Sequence, residues 1–410
     1  MHLIDINDGG LLCVNAQGEV VYDQPSLAYF DGEQLTFGTR AMAKVKSQPQ
    51  ACASQYMGRL SDETLPSPMG DALNHADLIF YHLRTMAAGT NINDCVFVIP
   101  AYFSDEQLQL LLGIAGAADL NPLGFINSGL AQTGADNADQ NFSVLDIGLR
   151  QGQLSSVRHS EQMLTNQATA NFDSLGLFSI VDAWLQEIAN VFLDSIRFDP
   201  LHSATTEQQA FDQILTWINH GELPVDTRIS VDIDGYSRSA EINSNQLSQQ
   251  LEQQLDQLGL ADTTHLVLTT RAAKVPMLLG LLEKRVASVR VSDSETYMQR
   301  AMELTQTFTP GQVERLNAYP VAAANNAKTT QADPQTGAPQ TLQKPATHLL
   351  GHSAATPITA PLFSEFLDQD GLLRPNAKVK INGEPASRAT LKHGDQVSFA
   401  DQQWSAIHVE

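Results

Sequence analysis

Two short stretches place a carboxylate and glycines where a strand turns back on itself. The first runs Asp5-Ile6-Asn7-Asp8-Gly9-Gly10 and the second Asp146-Ile147-Gly148. Glycine lets the backbone come close to a ligand, so the N–H groups of such a turn can face phosphate. A carboxylate at a strand end can hold a hydrated magnesium ion, directly or through its waters. In this reading Asp5 and Asp146 are the metal-holding pair, and Asp8, Gly9, Gly10 and Gly148 complete the nucleotide-binding set. Taken singly, each turn has a plainer reading, because aspartate beside glycine is ordinary turn chemistry.

The flanking pattern supplies elements able to position these turns. HLIDI, LLCV and EVVYD read as strands around Gly-rich turns. Apolar spacing predicts a helix over Met69–Ala88, and DCVFVIPAYF begins as a buried strand. Ser104 with Gln107 makes a capping box for the helix EQLQLLLGIAGAADL. LGFI and FSVLDIG are further strands. Long helices are predicted over Phe172–Phe198 and Glu207–Asn219. RISVDIDGYSRSAEI alternates at period two about Asp234-Gly235 and reads as a hairpin. Helices follow at Asn245–Leu258, in VPMLLGLLEKRV after the strand HLVLTT, and at Asp293–Phe308. The strand-and-turn units that begin at Asp5 and Asp146 open comparable β-rich halves.

The order of these elements resembles the ATPase domain of DnaK-type heat-shock chaperones over about residues 1–308. The stretch Val98–Asn127 is similar to that family's V-P-A-Y-F, polar helix and I-N-E-P run, and the 228–242 hairpin to its distal hairpin. HLVLTTRAAKVPMLLGLLE is similar to its adenosine-contact segment and SDSETYMQRAMELTQTF to its closing helix. The resemblance implies an α/β, duplicated, two-lobed actin-like ATPase fold, with ATP or ADP and magnesium as the expected ligands. The chain departs from the family at the positions that would do chemistry. Asn7, Asp8 and Gly9 replace Gly-Thr-Thr, and Leu149, Arg150 and Gln151 replace Gly-Gly-Thr. Ser54 stands at the family's hydrolytic lysine, Ser128 at its I-N-E-P carboxylate, and Thr270 and Arg271 where glycines admit the base, while Val275 and Pro276 are kept. Asp8 would repel a polyphosphate unless a metal intervened, whereas Arg150 could pair with one. Hydrolysis needs charge neutralisation and a positioned water, so the expectation is a regulatory or scaffolding pseudo-ATPase with no catalytic residue. The alternatives are a divergent ATPase holding magnesium with Asp5, Asp8 and Asp146, and a switch that binds ATP without hydrolysis.

Composition narrows the partners. The 410 residues carry 24 Lys+Arg against 46 Asp+Glu, a net charge of −22, which disfavours nucleic acid and anionic lipid. The three cysteines, Cys13, Cys52 and Cys95, form no C-x-x-C pair, so neither a disulfide framework nor a thiolate zinc site is expected. No secretory pattern and no apolar run of spanning length is present, which points to a cytoplasmic protein.

The expected organisation is a nucleotide-binding-type domain over 1–310, a flexible Ala/Thr/Gln/Pro-rich linker over 311–361, and a small β-rich module over 362–410. That module faintly resembles the closing half of a forkhead-associated domain through Asn382-Gly383 and Leu391-x-x-Gly394-Asp395, with His352 where an arginine is expected. A protein partner, met through this module or the lobes, is the expected interaction. His348 and His352 have metal-ligand spacing but no third ligand.

Overall fold

The apolar run after His2 forms strand β1 (His2–Asn7), whose Leu3, Ile4 and Ile6 are fully buried. A strand covered on both faces needs no alternation. β1 turns back into β2 (Gly10–Val14), followed by β3 (Val20–Gln24), and two later strands, β4 (Asp94–Ile99) and β5 (Asn121–Asn127), join on the other side. β4 runs parallel to β1 and β5 parallel to β4, whereas β2 and β3 pair antiparallel. The second sheet repeats this pattern. Its β6 (Phe142–Ile147) pairs antiparallel with β7 (Gly152–Ser160), which pairs with β8 (Met163–Phe172). On the other side of β6 lie β9 (His265–Leu268) and β10 (Ser288–Val291), both parallel. Two three-residue strands then finish both edges: β11 (Glu314–Leu316) pairs with β5, and β12 (Ala318–Pro320) pairs with β8.

The computed structural model describes residues 1–90, 92–132, 141–160, 163–260, 263–308 and 313–320, and, toward the C-terminus, 348–351, 354–358, 363, 367, 374, 379–381, 384–386, 391, 396–399 and 402–407. The chain divides into two units, Met1–Gln331 and Ala332–Glu410. The linker expected over 311–361 is entered by strands from both sides, at 314–320 and 348–357. These strands have three or four residues, too few for a two-residue period to show in the sequence.

Helices pack on both sheets of the first unit. α1 (His75–Ala88) and α2 (Asp105–Ala117) share a core with β1, β2 and β4 around Leu78, Leu83, Phe97 and Leu111. The helix expected from Met69 begins only at His75. Gly70, at φ 66°, turns a hairpin between strands Thr64–Met69 and Ala72–Asn74. The Asp77 N–H then donates to Asn74 Oδ1 at 2.8 Å, which fixes the helix start. The Ser104–Gln107 capping box is present, with the Gln107 N–H donating to Ser104 Oγ at 3.3 Å. α3 (Leu177–Ile196), α4 (Ala204–His220) and α5 (Ser244–Leu255) pack on the second sheet around Trp184, Phe192 and Phe211. The helix expected throughout VPMLLGLLEKRV is confined to Leu278–Glu283, because Pro276 and a left-handed Met277 (φ 69°) delay its start. α6 (Ser294–Leu304) contributes Tyr297, Met298 and Ala301 to a core that also holds Leu3, Val98, Val144 and Val267 from both sheets. None of the described helices is long and apolar enough to cross a membrane.

One polar group lies deep in the first core. His82 is fully buried, stacked on Phe37 at 4.6 Å, with Nδ1 2.9 Å from the Tyr56 hydroxyl and Nε2 3.0 Å from the Tyr22 hydroxyl. Burial pushes its pKa down to about 3, so the ring is neutral, one nitrogen donating and the other accepting.

The second unit holds a six-stranded antiparallel sheet ordered Ala354–Pro357, His348–Gly351, Gln402–Ile407, Gln396–Phe399, Val379–Ile381, Glu384–Ala386. Leu349, Phe363, Val397 and Trp404 form its core, Phe363 meeting Trp404 edge-on at 5.8 Å. His352, Asn382, Gly383, Gly394 and Asp395 lie outside the described residues.

Candidate functional site

Asp5 sits near the end of β1 and Asp146 near the end of β6, the central strands of the two sheets. The first turn is tight: Asn7 pairs with Gly10, leaving Asp8 and Gly9 at its tip. The second is longer, closing at Ile147 and Gly152, with the Gly148 N–H donating to the Gln151 carbonyl at 2.9 Å. The two turns meet. A Cβ on Gly148 would lie 2.5 Å from Asp8 Oδ2, and a Cβ on Gly9 would lie 2.8 Å from Arg271 Nε. A side chain at either position would therefore displace its neighbour, Arg271 at position 9 and Asp8 at position 148. All six residues singled out in the sequence, Asp5, Asp8, Gly9, Gly10, Asp146 and Gly148, come together here.

Several of the backbone donors that could face phosphate already have acceptors. Asp8 is only 5% exposed, and its Oδ2 accepts from the Arg150 N–H at 2.7 Å and the Gln151 N–H at 3.3 Å. Asn7 Oδ1 accepts from the Gly9 and Gly10 N–H groups at 2.8 and 3.1 Å. Hydrogen bonds to a charged acceptor are worth about 1.5–3 kcal/mol each, so the Asp8 contacts form a firm join between the turns. Burial nonetheless raises the Asp8 pKa, the two N–H groups offsetting it only in part.

The expected metal carboxylates are likewise engaged. Arg271 donates to Asp146 from Nη2 at 2.8 Å and from Nε at 3.3 Å, a two-pronged pairing that suits the planar guanidinium. The Thr269 hydroxyl donates to Asp146 Oδ1 at 2.6 Å. Asp5 accepts from Asn7 Nδ2 at 2.8 Å and from the Tyr297 hydroxyl at 2.9 Å. Burial would push Asp146 up, but the Arg271 charge and the hydrogen bonds hold it below the usual carboxylate range. At Asp5 burial dominates, aided by the nearby Asp146 charge, and the pKa is raised. Among the described residues, no group of three or more His, Cys, Asp or Glu could hold a metal ion.

Of the two serines that stand where the resemblance places charged groups, Ser54 has a side-chain partner. Buried Ser54 accepts from Arg150 Nε at 2.6 Å, and the Arg150 guanidinium lies over the Phe178 ring at 5.2 Å. The Arg150 guanidinium is thus engaged within the chain. Ser128 opens a four-residue helical turn and lines a cavity of about 710 Å³ that also touches Asp5, Asp146 and Tyr297. A second cavity, of about 430 Å³, is lined by Gly9, Gly10, Gly148, Leu149 and Val275, and Arg271 lines both.

Comparison with known proteins bears on this geometry. No family model matches the chain. The chaperone protein DnaK of Ureaplasma urealyticum is 28% identical over 182 residues, which is 42% of this chain and 30% of that protein. A heat shock protein 70 homolog of Schizosaccharomyces pombe is 23% identical over 255 residues, 53% of this chain and 44% of that one. The chain is distantly similar to Hsp70-type chaperones. It spans less than half the length of the curated relatives it matches. The mixed α/β architecture accords with an Hsp70-like relationship.

The magnesium nucleotide implied by an Hsp70-like relationship does not fit the residues as arranged. A phosphate on the second turn would have to displace the Asp8 carboxylate from two N–H groups, and its charge would be repelled there. A magnesium ion held by Asp5 and Asp146 would meet the Arg271 guanidinium, which is positive and already paired. The roles of Asn7, Thr269 and Tyr297 were not read from the sequence. A signal for Asn7 existed in its position two residues before Gly9, because an Asx side chain caps the backbone two and three residues on.

Proposed function

We propose that this protein is a chaperone-related pseudo-ATPase: a duplicated, two-lobed actin-like domain that acts as a regulatory or scaffolding module without hydrolysing ATP. The observation that carries this reading is the occupation of both nucleotide-handling features by the chain itself. Asp8 holds the Arg150 and Gln151 N–H groups, and Arg271 holds Asp146. The replacements at Ser54 and Ser128 agree with it, since neither side chain carries the charge of the group expected there. The protein acts in the cytoplasm and meets a protein partner through its C-terminal β-sheet unit or its lobes, in keeping with its net charge of −22.

Calorimetric titration of magnesium-ATP into the full chain, paired with a phosphate-release assay, tests this. The expected result is no turnover and no binding at micromolar nucleotide. Turnover that is lost in Asp5→Ala and Asp146→Ala would overturn the reading. A second reading, nucleotide binding without hydrolysis, is favoured by the 430 Å³ cavity beside Gly9, Gly10 and Gly148. Saturable heat without phosphate release would select it.

A further inference from the structure

We propose that Asp8, Arg271 and Gln208 form a built-in latch. The chain supplies its own carboxylate where the turns would grip a phosphate and its own guanidinium where they would grip a cation. It thereby holds the two β-sheet halves of its first unit together without nucleotide. This deepens the pseudo-ATPase reading, on which it rests for the redundancy of nucleotide.

Three contacts span the halves at separate places. At the base, Asp8 of the first turn reaches Arg150 and Gln151 of the second, and Arg150 returns to Ser54. Beside it, Arg271, which follows β9 and pairs with Asp146 within the second half, lies against Gly9 of the first half, and Tyr297 of α6 donates to Asp5. At the rim, Gln208 of α4 makes three hydrogen bonds to the 42–47 segment. Its Oε1 accepts from the Lys46 and Ser47 N–H groups at 2.7 and 3.1 Å, and its Nε2 donates to the Met42 carbonyl at 3.1 Å. Lys46 also pairs with Asp182 of α3 and with Glu207 of α4 at 3.2 Å. Gln208 is buried, so its hydrogen bonds do not compete with bulk water. A ligand-operated cleft needs donors left free for the ligand. Here Asn7 takes the Gly9 and Gly10 N–H groups of the first turn and Asp8, seated against Gly148, takes the Arg150 and Gln151 N–H groups of the second. The negative group meets backbone N–H donors and the positive group meets a carboxylate, as a phosphate and a metal ion would.

Amide hydrogen exchange on the full chain, without nucleotide, tests the latch. In the wild type the Arg150, Gln151, Lys46 and Ser47 amides are expected to be protected. In Asp8→Ala the Arg150 and Gln151 amides are expected to exchange at least about tenfold faster, as befits loss of a charged acceptor. Asp8→Asn keeps one acceptor oxygen and is expected to stay within about threefold of wild type. Millimolar inorganic phosphate is expected to restore protection in Asp8→Ala and to leave the wild type unchanged. Unprotected amides in the wild type, or an Asp8→Ala protein that phosphate does not rescue, would overturn the proposal. Should Asp8→Ala not fold, Gln208→Ala carries the test, because it leaves the turns intact and is expected to free the Lys46 and Ser47 amides about tenfold. Unchanged protection there would equally refute the rim contact. Nucleotide titration addresses hydrolysis and binding alone, so failure of the latch and failure of the pseudo-ATPase reading give different results.

Discussion

Replacing Arg271 with methionine keeps most of the stem and removes the charge. The Asp146 side chain, 20% exposed, then loses its two-pronged partner, whose own side chain is 32% exposed. Stripping one partner from a fully buried pair costs about 3–5 kcal/mol, and an exposed pair contributes at most about 1 kcal/mol. The partial exposure of both groups places Arg271→Met at roughly 2–3 kcal/mol at neutral pH. The pH dependence separates lost charge from lost packing. In the wild type Asp146 is held below its ordinary pKa, so its contribution is full above the unfolded value and is lost as pH falls through the folded one. In the variant burial is offset only by the Thr269 hydroxyl and the Ile147 N–H, both Asp146 and Asp5 take up protons at higher pH, and the deficit narrows on acidification. Urea unfolding at about pH 7 and about pH 4.5 measures this. Adding Asp146→Asn to Arg271→Met should recover part of the loss. A deficit under about 0.5 kcal/mol at neutral pH, or one equal at both pH values, would refute the assigned pairing.

Other perturbations have equally definite outcomes. Gly148→Ala sets a methyl 2.5 Å from Asp8 Oδ2 and should cost about 1–3 kcal/mol in urea melts. Gly113→Ala, mid-helix with nothing within 4 Å, should instead stabilise by about 0.5–1 kcal/mol; a gain at position 148 would contradict the contact drawn there. His82 is neutral in the fold with a pKa pushed down to about 3, so its stability contribution is full above about pH 6.5. Below that it is lost at up to about 1.4 kcal/mol per pH unit, until the folded pKa is reached. His82→Gln should flatten the acid limb of the stability curve between those values, and an unchanged limb would count against a buried neutral ring.

The two turns were legible because aspartate, glycine and a preceding apolar run fall within a few residues. What the turns do with their donors was not. The partners of Asp8 lie 142 and 143 positions away, and only the meeting of the two sheets brings them to it. Arg271 was visible as a bulky residue where glycine was expected, yet its pairing with Asp146 spans 125 positions and depends on β9 lying beside β6. The start of α1 was misplaced for a local reason. The apolar residues at helical spacing begin only at Ala76, and the expected helix was carried back to Met69 across Gly70, whose positive φ turns a hairpin instead. The capping box at Ser104 was read correctly because all its members are near neighbours.

The seven residues from Glu314 to Pro320 have a mechanical consequence. They pair with β5 at three positions and with β8 at three more, on the free edges of different sheets. Asn317, between them, accepts the Asn166 N–H on its carbonyl at 3.0 Å. Tension applied at residue 320 therefore loads these short ladders together with the buried Tyr319 ring. A pulling experiment with its handle at residue 320 should show a small early yield as the two ladders peel, ahead of the main rupture of the first unit.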